Sequence, residues 1–89
     1  MALLDLLGRR WTLRIMWELR EGPLTARALQ AACDDASPAV LNERLKSLRE
    51  AGLVEHRPEA GYALTATGEE LRDAFAPLYR FAERWAERP

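Results

Sequence analysis

Between Ser37 and Gly52 the chain shows its clearest alternation of apolar and polar positions. Three leucines recur at helical spacing and define one face: Leu41, Leu45 and Leu48. Ser37 is a good N-cap because its hydroxyl can accept a hydrogen bond from a free amide of the first turn, and Pro38 suits the first helical position. Gly52 can adopt the left-handed conformation that ends a helix. The pattern predicts a capped amphipathic helix over residues 37–51.

After this helix the periodicity changes from helical to strand-like. Residues 54–57 and 62–64 are short segments that favour strands, and the stretch from Pro58 to Gly61 between them favours a turn. The sequence therefore predicts a two-stranded hairpin, or wing, with its tip at residues 57–61. A helix with an exposed polar face followed by such a hairpin is typical of a winged helix, in which the helix enters the major groove of DNA.

The segment before the capped helix predicts two more helices. Residues 10–21 are apolar around nearly the whole circumference of a helix, so this helix must be covered on several sides. Gly22 and Pro23 end it, Leu24 is predicted to form a strand of one or two residues, and Thr25 to cap a short helix. The resulting order of helix, short strand, helix, turn, helix and hairpin is that of a helix-turn-helix with a wing.

From Thr65 onward apolar residues again recur at spacings of three and four. This seam consists of Leu71, Phe75, Leu78, Ala82 and Trp85. Thr65 and Thr67 compete as the N-cap of this last helix. Pro77 lies inside the seam and predicts a kink, or a break into two helices, near Phe75. A seam of this length exceeds what a small core can cover, so it predicts a dimer interface.

Together these elements predict a mostly helical α+β fold in a single domain over residues 1–89, a winged helix-turn-helix whose terminal helices pair two subunits. The residues predicted to form the dimer interface are Leu3, Leu7, Trp11, Trp17, Leu78, Phe81, Ala82 and Trp85. A ligand pocket among the aromatic side chains is an alternative use of the same residues.

The overall charge argues against nucleic-acid binding, but the distribution of charge along the chain is compatible with it. The chain has 13 Lys and Arg and 14 Asp and Glu, a net charge of −1, and a pI of about 5.8. Domains that bind DNA are usually basic. Arginines are frequent before residue 21, however, and acidic residues accumulate after Gly68. An acidic tail that lies away from DNA would be screened beyond a Debye length of about 8 Å.

Four segments of the chain resemble the HxlR-type transcriptional regulators, winged-helix proteins of bacteria related to the MarR type. They are residues 8–19, which open with Gly-Arg-Arg-Trp-Thr, Gly-Pro at residues 22–23, residues 37–54, which begin with Ser-Pro and end with Ala-Gly-Leu-Val, and residues 62–71, which begin with Tyr-Ala-Leu-Thr. The resemblance extends over about residues 6–86. It implies a homodimer that is built from the first and last helices and binds a pseudo-palindromic DNA site, in most members as a repressor. Some members respond to electrophiles or oxidants.

The residues predicted to contact DNA are Ser37, Ala39, Asn42, Glu43, Lys46 and Arg57. Residues near the N-terminus of a recognition helix enter the major groove, which places Ala39, Asn42 and Glu43 at base edges. The Asn42 amide could pair with adenine, the Glu43 carboxylate could accept from a cytosine amine, and the Ala39 methyl could contact that of thymine.

Contacts to the DNA backbone are predicted around these base contacts. The Ser37 hydroxyl suits a phosphate, and Lys46 suits a phosphate or a guanine. Arg57 on the wing is expected to meet the backbone or the minor groove. Arg44 lies to the side of the helix and is expected to order it through an acidic residue.

Two alternatives to a constitutive DNA-binding regulator remain open. The acidic pI, Ala39 where the family usually has a basic residue, and a short wing with Glu59 at its tip favour a winged helix used for protein–protein contacts. A variant that responds to a ligand or to redox chemistry is the second. The single cysteine, Cys33, is expected to be a half-buried small hydrophobic residue, and Asp34 and Asp35 beside it would raise the pKa of its thiol and slow its reactions.

The sequence gives no basis for catalysis, a metal or a cofactor. No nucleophile is accompanied by the base and orienting partner that catalysis needs, and His56 has no second histidine or cysteine at ligand spacing. No signal peptide is recognisable, and no apolar run approaches the length of a membrane span. We therefore expect a cytoplasmic protein that is not an enzyme and whose effector, if it has one, is unknown.

Overall fold

The computed structural model describes residues 2–34 and 36–88 as a sequence of helices interrupted by one hairpin. The elements are α1 (Ala2–Leu7), α2 (Thr12–Glu18), α3 (Ala26–Ala32), α4 (Pro38–Glu50), β1 (Val54–Arg57), β2 (Gly61–Leu64) and α5 (Ala66–Ala86). The order confirms the predicted winged helix-turn-helix. Asp35, expected to act on Cys33, lies outside the described residues. No helix in the described ranges is long and apolar enough to cross a membrane.

The predicted capping residues begin and end the helices of the helix-turn-helix. The Thr25 hydroxyl accepts a hydrogen bond from the amide of Ala28 at 3.1 Å, and the Ser37 hydroxyl accepts one from the amide of Val40 at 3.2 Å. Gly52 has a φ of 76°, the left-handed conformation predicted for the end of α4. These local contacts fix where α3 and α4 begin and direct the chain from α4 into the wing.

The wing is an antiparallel hairpin joined by a third, very short strand. β1 and β2 pair in a register that sets Val54 opposite Leu64. Leu24 forms an isolated bridge to Tyr62, with two backbone hydrogen bonds of 2.9 and 2.7 Å, which confirms its predicted short strand. Gly61 makes this approach possible, because a Cβ atom there would overlap the backbone of Leu24. The bridge anchors the half of the wing nearest its tip to the segment between α2 and α3.

The helix α2 is shorter than predicted at both ends and forms the centre of the core. Ile15 and Met16 are fully buried, and Trp17 is 7% exposed. The ring of Trp17 stacks on that of Tyr79 of α5, with a centroid distance of 4.4 Å. Helices α1, α3 and α5 all pack against α2, so the apolar residues around α2 are covered within one protomer. The prediction that Trp17 lies in a dimer interface is therefore wrong.

The helix α5 continues through Pro77 as a single helix, so of the predicted kink or break near Phe75 the break is wrong. Pro77 is exposed, and water can bind the carbonyl of the preceding turn that lacks its amide partner. Thr65 is the N-cap: its hydroxyl accepts a hydrogen bond from the amide of Gly68 at 3.0 Å. The same hydroxyl donates to the carbonyl of Gly52 at 2.6 Å. This contact ties the start of α5 to the end of α4.

Candidate nucleic-acid interface

The helix α4 buries one face and leaves the opposite face free. Its three inward leucines are nearly inaccessible: Leu41 and Leu45 are 2% exposed and Leu48 is 0% exposed. The residues predicted to contact DNA are all exposed, namely Ser37, Ala39, Asn42, Glu43 and Lys46 on α4 and Arg57 on the wing. Apolar packing on one side thus presents a row of short and polar side chains on the other.

Arg44 anchors one side of this helix and forms an ion pair with Glu43, one of the residues predicted to contact bases. Its Nε donates to the carbonyl of Arg10 at 3.0 Å, which ties α4 to the turn before α2. Its Nη1 lies 3.1 Å from Oε1 of Glu43, and the Arg44 side chain is only 15% exposed. Arg44 does pair with an acidic residue, but its contact outside α4 is with the Arg10 carbonyl and not with an acid. The Glu43 side chain is thus one half of an ion pair rather than a free carboxylate.

The wing carries a second ion pair. Nε of Arg57 lies 2.7 Å from Oε2 of Glu55, and both side chains are about half exposed. The turn at the tip is closed by a hydrogen bond of 3.0 Å from the amide of Ala60 to the carbonyl of Arg57. Glu59 is exposed at this tip. The Glu55 carboxylate holds the Arg57 guanidinium at the wing and offsets part of its charge.

Between α4 and β1 lies an open cleft that the sequence analysis did not identify. It has a volume of about 480 Å³ and is lined by Lys46, Arg49, Glu50, Val54, Glu55 and His56. The rings of His56 and Tyr62 pack in a tilted arrangement with centroids 4.9 Å apart. Arg49 and His56 therefore join the candidate interface. Their approach depends on how β1 packs against α4, which no local sequence pattern specifies.

Two of the arginines before residue 21, Arg14 and Arg20, are engaged in contacts away from this surface. Arg14 donates to the carbonyl of Ala32 at 2.7 Å and to Glu18 at 2.8 Å, so it joins α2 to the end of α3. The hydrogen bond to Glu18 raises the pKa of Arg14. The Arg20 guanidinium lies 4.4 Å from the ring centre of Trp17. Both arginines support the core.

The predicted dimer-interface residues fall into three groups. Five are exposed: Leu3, Leu78, Phe81, Ala82 and Trp85. Leu7 and Trp11 are half-buried, and Trp17 belongs to the core. On α5 the exposed residues are spaced three, one and three apart, which places them on one stripe of the helix. Trp85 is 64% exposed and Leu78 is 62% exposed, so this protomer leaves the stripe uncovered.

Cys33 is fully buried, more deeply than predicted. Burial raises the pKa of its thiol, and the charges of Glu18 and Asp34 act in the same direction, while that of Arg14 opposes them. Among the described residues, no group of three histidine, cysteine or acidic side chains could hold a metal ion.

Known proteins with similar sequences and structures share this architecture. The profile of the HxlR-like helix-turn-helix proteins matches residues 6–89. The uncharacterized HTH-type transcriptional regulator YvaP of Bacillus subtilis is 32% identical over 89 residues, which cover 93% of this chain and 82% of YvaP. A possible HxlR family transcriptional factor of Thermoplasma volcanium has a TM-score of 0.92 and 28% identity, covering 99% of this chain and 84% of that one. Quinone-bound YodB of B. subtilis has a TM-score of 0.83, 30% identity and 93% coverage of each chain.

Proposed function

The chain belongs to the HxlR-like helix-turn-helix family of transcriptional regulators, and from this premise we propose that it binds a pseudo-palindromic DNA site as a homodimer and represses transcription there. In this proposal α4 is the recognition helix and the wing contacts the flanking backbone or minor groove. No catalytic step is involved, and the binding partner is double-stranded DNA.

The observation that carries the proposal is the exposed N-terminal half of α4. Ala39, Asn42 and Glu43 lie on a helix held rigidly from behind by three buried leucines and from the side by Arg44. A rigid helix of this kind can enter the major groove, where base edges can be distinguished. Lys46 lies one turn further along the same exposed face, where it suits a phosphate or a guanine.

The dimer part of the proposal is supported by the apolar stripe on α5 and by exposed leucines on α1. Leu4 is 59% exposed and Leu3 is 39% exposed. Pairing these helices between two copies would cover side chains that a single copy leaves in water. Two recognition helices in such a dimer would have to lie about 34 Å apart, one turn of B-DNA, to reach successive major grooves.

Titration of the protein against the DNA upstream of its own gene, at several salt concentrations, tests the proposal. We expect affinity to fall steeply with salt because Lys and Arg displace counterions from phosphates. Lys46→Ala should weaken binding to every duplex and reduce the salt slope by about 0.9 if Lys46 contacts a phosphate. Asn42→Ala should cost about 1–3 kcal/mol and relax sequence preference at one base pair.

Arg80→Ala is the matched control, because it also removes one exposed positive charge but lies on α5 rather than on the reading surface. Its affinity should stay close to that of the unmodified chain. Equal losses in Arg80→Ala and Lys46→Ala would argue against the assigned surface. A reporter gene placed under the bound promoter tests the repressor assignment, which requires its expression to rise when the regulator is removed.

The alternative of a protein-contact module is favoured by one observation: each of the two polar elements at the interface carries an internal ion pair, Arg44–Glu43 on α4 and Arg57–Glu55 on the wing. Such pairing lowers the positive charge available to phosphates. Absent or salt-independent binding at low ionic strength would favour this alternative.

A further inference from the structure

The cleft between α4 and β1 brings together basic side chains from two elements. Lys46 and Arg49 come from α4, and His56 comes from β1. All three are exposed. His56 rests against Tyr62, whose ring supports one side of the imidazole. The cleft is open to solvent and has a volume of about 480 Å³.

The geometry of duplex DNA determines what this cleft would meet. The major and minor grooves of B-DNA are separated by a phosphodiester strand. A protein that places a helix in one groove and a hairpin in the next must therefore straddle that strand. In this chain the cleft lies between the proposed recognition helix and the wing. A backbone held between these two elements would pass Lys46, Arg49 and His56.

The charged and titratable groups around His56 come from three elements: Lys46, Arg49 and Glu50 of α4, Glu55 and Arg57 of β1, and Tyr62 of β2. Glu55 is already paired with Arg57 at 2.7 Å. Glu50 is the remaining acid of this group and is offset by the two basic residues of its own helix. The balance around His56 is therefore slightly positive and becomes more so when the imidazole is protonated.

We propose that protonated His56 contacts a DNA phosphate in the cleft between α4 and β1, so that the affinity for DNA rises as the pH falls from about 8 to 6. Histidine changes charge in this range, and a nearby phosphate favours the charged form. The contact is independent of base sequence. The proposal rests on the DNA binding proposed above and adds a pH-dependent backbone contact to it.

The experiment measures binding of a fluorescent 30-base-pair duplex of arbitrary sequence by anisotropy, at pH 6 and pH 8 and over a range of salt. The unmodified chain should bind about two- to fivefold more tightly at pH 6, the range for an exposed ion pair. Its salt slope should be steeper there by about 0.9, the value for one additional phosphate contact. His56 is the one histidine of the chain, so a histidine effect is assigned without further mapping.

Two variants separate His56 from other groups, such as the N-terminal amine, that titrate in the same range. His56→Gln should keep the affinity measured at pH 8 and lose the gain at pH 6. His56→Lys should show the tighter binding and steeper slope at both pH values. Circular dichroism at each pH checks that the variants remain folded, which the exposed position of His56 favours.

The outcomes distinguish this proposal from the function on which it rests. Salt-dependent binding with the same affinity at both pH values, or an unchanged pH effect in His56→Gln, overturns the His56 contact and leaves DNA binding intact. Absence of binding at either pH and low salt overturns both.

Discussion

Burial decides the chemistry of the cysteine. Because the thiolate is the reactive form and burial raises the pKa of the Cys33 thiol, we expect Cys33 to react slowly with iodoacetamide near neutral pH. The rate should be at least about tenfold below that of an exposed cysteine. Mass spectrometry of the native protein over time measures it. This outcome would make direct oxidation of Cys33 a poor signal for the regulator.

The variant Ala74→Cys provides an internal reference, because Ala74 is exposed on α5. In this variant one thiol per chain should be modified rapidly and the other slowly. Unfolding in concentrated guanidinium chloride should make both rapid. If both thiols of the native variant reacted at the same rate, Cys33 would be accessible and the sensor alternative would gain support.

Single residues differ in how far the sequence determines their role. The caps Thr25 and Ser37 were predictable because each bonds to an amide three residues away. The burial of Trp17 was not predictable, because it depends on the distant residues Phe75 and Tyr79 of α5 packing against its ring. Arg44 is intermediate: its partner Glu43 is adjacent, whereas the Arg10 carbonyl becomes a partner only when the chain folds.

At the scale of elements, α5 offers a test of how a helix tolerates an internal proline. We expect Pro77→Ala to increase the free energy of unfolding by about 1–3 kcal/mol, because alanine restores the missing amide and favours the helix. Urea denaturation followed by circular dichroism measures the change.

Arg80→Ala is the control for this substitution, being another exposed change to alanine three residues along the same helix. It should alter the free energy of unfolding by no more than about 0.5 kcal/mol. A Pro77→Ala variant no more stable than Arg80→Ala would mean that α5 needs the proline, for example to shape its exposed stripe.

Elements defined by local patterns were predicted well, and surfaces between elements were not. The hairpin was predictable because its turn and both strands lie within about ten residues, and even the short strand at Leu24 followed from its neighbours. The cleft beside His56 depends on the packing of β1 against α4. For that reason neither His56 nor Arg49 could be assigned to the site from the sequence.

At the scale of the whole molecule, the exposed stripe on α5 predicts the oligomeric state. Trp85 is the largest side chain in it, and buried tryptophans often dominate the energy of an interface. We expect the unmodified chain to sediment as a dimer and Trp85→Ala to raise the dimer dissociation constant about tenfold or more. Sedimentation velocity over a series of protein concentrations measures both.

Arg84→Ala is the companion variant, because Arg84 is the adjacent exposed residue and points about a quarter turn away from Trp85 on the helix. It should leave the dimer largely intact. Equal weakening by both changes would indicate that the stripe is not the contact. A monomer at all concentrations would remove the dimer from the proposed function.

The uninterrupted course of α5 gives it a mechanical role in the proposed dimer. One end is anchored beside the exit of α4 through the Thr65 hydroxyl, and the other carries the apolar stripe. A 21-residue helix is a stiff lever about 31 Å long, so tilting it by about 10° would displace its anchored end by about 5 Å. A displacement of that size is enough to change whether the two recognition helices match the DNA repeat of about 34 Å. An effector that binds between the two α5 helices of the proposed dimer could thus control transcription without touching either recognition helix.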